Sequence, residues 1–369
     1  MASEKRPTAL GAYIFAGGFT VGVAKHFDVL AHFEDGSYGT ETAQHNFPEL
    51  RGNVHTDPAA WPAERFKGKV DFLFSNPPCA PWSRASEGRA TPWNLDPRLD
   101  CVRRSFALVG RVRPKVWAWE SVRGAWRYGR ELVETVARAG MALGYCCTVC
   151  FVDGTHHGVA QRRPRLFVVL HRMPIDWEPT GLKKPVTVAD AILKRKFKTQ
   201  TLAPAPEGYL KLLRQMRKGE IDLRQTFNRL HADQIEEAAR KGEHVSGRPS
   251  FQNRRIRADR PSLVLTGGAK LFHPTEDRFI SVEESAAMCG YPRDFVFKGT
   301  VNKQYAQVAQ AVMPPVAEYL ARVVAGSLGN RAVKNPFFEC VDILPDDVAR
   351  SGPMQIIGGS MSLEVGGAE

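Results

Sequence analysis

The sequence lacks any apolar run close to the roughly 20 residues that a bilayer-spanning helix requires, which argues against a helical membrane protein. Its opening residues, Met1-Ala-Ser-Glu-Lys-Arg, lack the apolar segment of a secretory signal, so an intracellular, cytoplasmic protein is expected. Internal repeats are missing too, which argues against a solenoid. Cysteine is sparse and scattered, seven residues in 369, so reduced thiols rather than a disulfide framework are expected. Three of them, Cys146, Cys147 and Cys150, gather in the apolar run "GYCCTVCFV". No second ligand cluster accompanies that run, so it reads as a buried strand and not as a metal site. Acidic residues are the scarcer charge, 39 against 51 Lys and Arg, for a formal net charge of +12. That excess suits a polyanionic partner. Charge alone is equally compatible with a basic enzyme that has none.

What is present is ordinary globular material, 43% hydrophobic and 24% charged, long enough for a large domain and a smaller one. Residues 11–34 read as strand, glycine turn, helix and strand: "GAYIFAGG", "FTVGVAKHF", "DVLAHFE". That is the opening of a βαβ unit. "VDFLFSNPPC" reads as a buried parallel strand ending in a Pro-rich loop. Residues 98–112 and 129–143 read as amphipathic helices. "VWAWE", "CCTVCFVDG" and "RLFVVLH" read as further strands. The alternation predicts an α/β, doubly wound, mostly parallel sheet that binds ligands beyond the C-terminal ends of its strands. From about Gly181 to Gly247 the chain is rich in Lys and Arg and poor in apolar runs. Strand signals resume at "PSLVLTGG", a helix follows at "SVEESAAMCG", and one last helix is expected over "YAQVAQAVMPPVAEYLARVVAG". The Gly- and Ser-rich stretch after Gly326 reads as a tail. The expected division is a catalytic domain over 1–173 and 254–325, a small basic domain over 174–253, and a tail over 326–369.

Three local signals carry chemistry. In "SNPPCAPWS" two prolines stiffen the loop that aims the Cys79 thiol. A thiol becomes a nucleophile when a nearby positive charge or a base activates it. Alone, Cys79 is as readily a small buried hydrophobe in a tight turn. In "WAWES" the carboxylate of Glu120 ends the next strand, beside Cys79 across the mouth of the sheet; taken singly, it could be an exposed loop residue. In "GVAQRRPRLF" Arg163 and Arg165 alternate in a strand and so point to one face, just after Gln161. A solvated basic edge would show the same pattern.

Taken in order, "FAGG…G", "PPCxxWS", "ExV", "GVxQxRxR", "HPxxxRxISxxE", "GYP" and a late "YxQ…AV…PP" resemble the ordered motifs of the DNA cytosine-5 methyltransferases, over about residues 11–173 and 254–325. The resemblance implies an S-adenosylmethionine-dependent enzyme on double-stranded DNA, expected to be a monomer, in a prokaryotic or viral-type restriction-modification setting. It implies that Cys79 attacks ring carbon 6 of a flipped cytosine, that Glu120 holds the base at N3 and its amino group, that Arg165 contacts the ring oxygen, and that Arg163 supports the loop. It places the cofactor at Phe15, Ala16, Gly17 and Gly18, with Glu34 on the ribose hydroxyls and Asp57 toward the adenine. Asn76, Pro78, Gln310 and Val312 complete that pocket. Substrate contacts are expected at Ser83, Gln161 and Arg255, and from the basic region at Lys194, Arg195 and Lys196.

The chain also departs from the pattern. The glycine loop is short between Gly17 and Gly18, Ala80 stands in place of Gln, Ser121 in place of Asn, and Asn76 in place of Gly before the prolines. Ala309 and Gln310 replace Gly and Asn near the expected cofactor, which leaves room for transfer of a group other than methyl from a modified cofactor. An amino-methyltransferase competes with the main reading as well, since "NPPC" partly mimics "NPPY". So do a transfer-RNA methyltransferase of the same family and a DNA-binding relative without activity.

Overall fold

The computed structural model describes residues 6–83, 92–177, 184–329 and 339–343. The chain opens with β1 (Thr8–Ala12), α1 (Gly18–Val23), β2 (Asp28–Phe33), α2 (Thr40–Asn46), β3 (Val54–His55) and β4 (Phe72–Ser75). Next come α3 (Leu99–Val112), β5 (Val116–Ser121), α4 (Gly124–Tyr128), α5 (Arg130–Ala142), β6 (Cys146–Asp153) and β7 (Pro164–His171). A more helical stretch follows: α6 (Glu207–Arg214), α7 (Leu223–Leu230), α8 (Ala232–Lys241), two short strands β8 (Arg254–Arg255) and β9 (Leu271–Phe272), α9 (Val282–Met288) and α10 (Val301–Gln310). The described chain closes with α11 (Pro314–Leu328) and β10 (Glu339–Ile343).

The eight-stranded sheet has the order β10-β6-β7-β5-β4-β1-β2-β3. β1, β2, β3, β4 and β5 run parallel, β7 lies antiparallel between β5 and β6, and β10 pairs antiparallel with β6. β5 is buried at all six positions, as a central strand covered on both faces must be. α3 shows why the helices form where they do. Leu99, Val102, Phe106, Val109 and Val112 recur at helical spacing and are all buried. The helix ends where Arg113 turns left-handed (φ 55°), just before Pro114. α11 lies against α1, and Gly22 makes the approach possible: a Cβ there would sit 2.3 Å from the Glu318 backbone nitrogen.

The described residues fall into two compact units. One draws on Met1–Gly158, Arg163–Lys184 and Ala311–Glu369 and contains the sheet; the other draws on Val159–Arg162 and Pro185–Gln310. The second therefore runs well past residue 253, because α9 packs on the helical turn Ala189–Leu193 and on α10. Three further expectations need correction. "PSLVLTGG" forms a single bridge, Ser262 with Gln161, and no strand. The expected last helix is two, α10 and α11, because Pro314 and Pro315 can only open a helix. The expected tail contains β10, while 330–338 and 344–369 lie outside the described residues.

Candidate active site

The sheet-bearing unit brings its chemistry to one edge. β1, β2, β4 and β5 all end there, and antiparallel β7 begins there. Register does the positioning. Ser75 pairs with Trp119, so Asn76, the first residue past β4, lies beside Glu120, which is still within β5 and pairs with Phe167 of β7. Asn76 is pinned by its amide to the Ala12 carbonyl (3.2 Å) and donates from Nδ2 to Oε2 of Glu120 (2.7 Å). Arg165, at the start of β7, reaches Oε1 of the same carboxylate through Nε (3.1 Å). Glu120 is thus 2% exposed with both oxygens held from different sides. Burial raises its pKa, and Arg165 and then Arg163 oppose the rise.

Cys79 follows the two prolines and caps the short helical turn Ala80–Trp82, with its backbone in the sparsely populated bridge region (φ −91°, ψ 1°). The thiol is half-buried and its pKa is raised, chiefly by desolvation. The Arg165 and Arg163 charges favour the thiolate, and Glu120 disfavours it. Arg163 is 1% exposed; its Nη2 donates to the Ala311 carbonyl (3.1 Å). Its backbone amide donates to Asp153 Oδ1 (3.3 Å), which also accepts from the amide and hydroxyl of Thr155. Asp153 escaped the sequence reading, although "VDGT" after an apolar strand carries the signal of a side-chain-capped turn. Pro78 and Ser83 flank the thiol on this loop. Ser121 is fully buried, and its hydroxyl finds no hydrogen-bond partner among the described residues.

At the other end of the same edge lies the turn after β1. Tyr13, Phe15 and Gly17 all take positive φ (52°, 56° and 90°), a run that keeps the turn tight. At Gly17 a Cβ would meet the Phe47 ring at 2.5 Å. Gly18 opens α1, and Ala16 is buried beside it. Glu34, 1% exposed just beyond β2, accepts from the Phe15 amide at Oε1 (3.1 Å). Burial, with the Asp35 charge adding to it, pushes its pKa well above the usual carboxylate range. A tight turn beside an acceptor at the end of the second strand fits a nucleoside-bearing cofactor, whose ribose offers hydroxyl donors. Asp57 is exposed and caps a turn by accepting from the Ala59 amide (2.9 Å). Val312 is buried in this unit.

The remaining candidates belong to the second unit, and two of them hold its own framework together. Gln161 is fully buried: Nε2 donates to Cys289 Sγ (3.1 Å), and Oε1 accepts from the Leu265 amide (3.2 Å). Its amide is used at both ends, as a clamp between Cys289 and Leu265. Arg255 donates to the carbonyls of His273 and Glu276 (2.8 Å each) and pairs with Asp277, so it ties down the turn after β9. The "HPxxxRxISxxE" run is a scaffold of the same kind: Arg278 forks onto both oxygens of Glu284 (2.8 and 2.9 Å), which closes a capping box with Ser281. Lys194 is exposed and paired with Asp190 (2.6 Å), Arg195 is half-buried and Lys196 is exposed. Gln310 is exposed at the end of α10.

Known proteins share this pattern. The chain is 29% identical over 327 residues to the type II methyltransferase M.Eco47II of Escherichia coli, covering 83% of this chain and 75% of that one. It is 27% identical to the type II methyltransferase M1.HphI of Haemophilus parahaemolyticus, covering 86% of each. The fold resembles that of a putative DNA modification methyltransferase encoded within an E. coli prophage, with TM-score 0.61, 19% identity and coverage of 88% of this chain and 99% of the other. It also resembles the Dnmt2 methyltransferase of S. pombe, with TM-score 0.55, 14% identity and coverage of 87% and 98%. The sequence model of the C-5 cytosine-specific DNA methylases matches residues 12–325. The chain belongs to the C-5 cytosine-specific DNA methylase family.

Proposed function

We propose that this chain methylates carbon 5 of a cytosine flipped out of double-stranded DNA, through a covalent bond from Cys79 to carbon 6. One observation carries the reading: a half-buried thiol in the field of Arg165 and Arg163, beside a buried carboxylate that Arg165 and Asn76 hold in place. Carbon 5 of cytosine is a poor nucleophile unaided. As the Cys79 sulfur bonds to carbon 6, Glu120 passes a proton to N3 and accepts from the exocyclic amine, which leaves an electron-rich carbon 5. Arg165 orients Glu120 and reaches the ring oxygen, while Arg163 fixes the loop between β6 and β7 from below. S-adenosylmethionine supplies the electrophilic methyl group when it is bound. Glu34, Phe15 and Gly17 would hold its nucleoside, with Ala16, Gly18, Pro78 and Val312 around it. Loss of the carbon 5 proton to a base then returns the N3 proton and breaks the carbon 6–sulfur bond. Lys194, Arg195 and Lys196 of the second unit would meet DNA phosphates, and Ser83 the substrate strand. A cytoplasmic enzyme that pairs with a restriction activity fits the relatives' type II names.

The test is trapping. A duplex with 5-fluorocytosine in its target sites cannot lose fluorine as it would a proton, so the adduct persists. Bisulfite-type sequencing of DNA from expressing cells first supplies those sites. The wild type is expected to form a denaturant-stable adduct, and Cys79→Ser none. No adduct on DNA, or an adduct on transfer RNA alone, overturns the reading.

A further inference from the structure

We infer that Asn76 is a positioning residue that sets both the orientation and the proton affinity of Glu120. The inference rests on the proposed role of Glu120 as the group that exchanges a proton with the base. Its geometry stands independently. The Asn76 backbone is anchored on the β1 end through its amide, and the side chain reaches one oxygen of Glu120 at 2.7 Å. Arg165 takes the other oxygen from the opposite strand at 3.1 Å. A buried carboxylate gripped at both oxygens cannot swing, which removes the rotational search before the base arrives. The two grips differ in kind. Arg165 donates only, whatever the protonation state of its partner. An amide has two faces: the NH2 donates to the carboxylate, and the oxygen, turned in, accepts from the carboxylic acid. Asn76 can therefore stay engaged on both sides of a proton transfer. A glycine at this position, the residue of the family pattern, has nothing to offer in either state.

The charged and titratable groups facing Glu120 are Arg165 and Arg163 from the β7 side and Cys79 from the loop after β4. Beside these charges, the Asn76 Nδ2 hydrogen bond at 2.7 Å also favours the charged form, so removing it raises the affinity of Glu120 for its proton. The isosteric Asn76→Asp does more, since it loses the donor and adds a like charge. Asn76→Gln keeps the amide and tests whether the chemical group, rather than the packing, matters.

The experiment is a pH titration of the full chain labelled with 13C at the glutamate side-chain carboxyls, with the Glu120 resonance assigned by its absence in Glu120→Gln. Relative to wild type, the Glu120 midpoint is expected to move up by about one pH unit in Asn76→Gly and by more in Asn76→Asp. Asn76→Gln is expected to lie nearer the wild type, and thermal unfolding verifies that each variant is folded. Midpoints that coincide across folded variants overturn the proposal. The pH profile of 5-fluorocytosine adduct formation is the second readout, and the limb that follows the Glu120 midpoint is expected to move with it. A profile that stays put while the midpoint moves leaves Asn76 without a part in the reaction and overturns the proposal as well. No DNA enters the titration, so a wild type that forms no adduct refutes the functional reading separately from this one.

Discussion

In the sheet-bearing unit the guanidinium groups at the site are drawn inward: Arg163 is buried against the Ala311 carbonyl, and Arg165, its side chain 11% exposed, lies on Glu120. In the other unit Lys194, Lys196 and Lys198 stand in solvent. That second unit carries 23 Lys and Arg against 14 Asp and Glu, a formal +9 of the chain's +12. The contrast separates two uses of positive charge. Cations drawn into the site act at short range in a low dielectric, where they oppose the rise in pKa that burial imposes on a thiol and a carboxylate. Exposed cations act collectively on a polyanion and are tuned by salt. Not every cation of the second unit is free for that: Arg255 and Arg278 are committed to its own turns and helix caps.

The comparison breaks most visibly at Arg165. Arg165→Ala leaves Glu120 buried without its ion pair, a change that costs about 3–5 kcal/mol. Denaturant unfolding at neutral pH is the measurement. The sign with pH follows from the carboxyl, whose pKa is already raised in the fold and rises further without the guanidinium. A raised folded pKa gives stability that is present below the unfolded carboxylate pKa and fades as pH rises through the folded one. The variant is therefore expected to regain stability in mild acid, and a cost equal at all pH values shows that the carboxylate is not its source.

For the exposed cations the effect is smaller and resides in salt dependence. Replacing Lys194, Lys196 and Lys198 together by Ala is expected to flatten the slope of log affinity against log salt by up to about 2.7, if each neutralises one phosphate. Lys194 contributes least to that figure, since Asp190 already holds it. An unchanged slope removes this stretch from the DNA contact surface.

Gln161 sharpens the contrast from the inside. Gln161→Ala strands the buried Leu265 amide and is expected to cost about 1–3 kcal/mol in unfolding, without altering which sites are methylated. A changed site preference in sequenced DNA would return Gln161 to the substrate side.

The legible and illegible parts of the sequence divide along a physical line. β5 and α3 were readable because their side chains face one environment along their whole length: "VWAWE" is buried throughout, and α3 shows one apolar stripe. α10 and α11 were joined because the apolar pattern runs on through Pro314 and Pro315, and only the missing amide hydrogens reveal the break. "PSLVLTGG" has the composition of a strand but no neighbour beyond one bridge, and a strand is defined by its partners. The site followed the same rule. The order of motifs pointed to Cys79, Glu120, Arg163 and Arg165, yet Asn76 was expected at the cofactor. Its bond to Glu120 depends on the register of β4 against β5, which no local pattern encodes.

Ser121 tests the finest part of the comparison, since it sits on the buried side with no charge at all. It follows Glu120, is fully buried, and its hydroxyl has no partner among the described residues. A buried hydroxyl without a hydrogen bond costs free energy, and its removal relieves that cost while opening a space of only one oxygen atom. Ser121→Ala is therefore expected to unfold at the same denaturant concentration as wild type or slightly higher, a gain of no more than about 1 kcal/mol, with adduct formation unchanged. A clear loss of stability would mean that the hydroxyl is satisfied in solution. A loss of adduct formation alone would mean that it braces the Cys79 loop once substrate is bound. Either result would move Ser121 from the packing of β5 into the working part of the site.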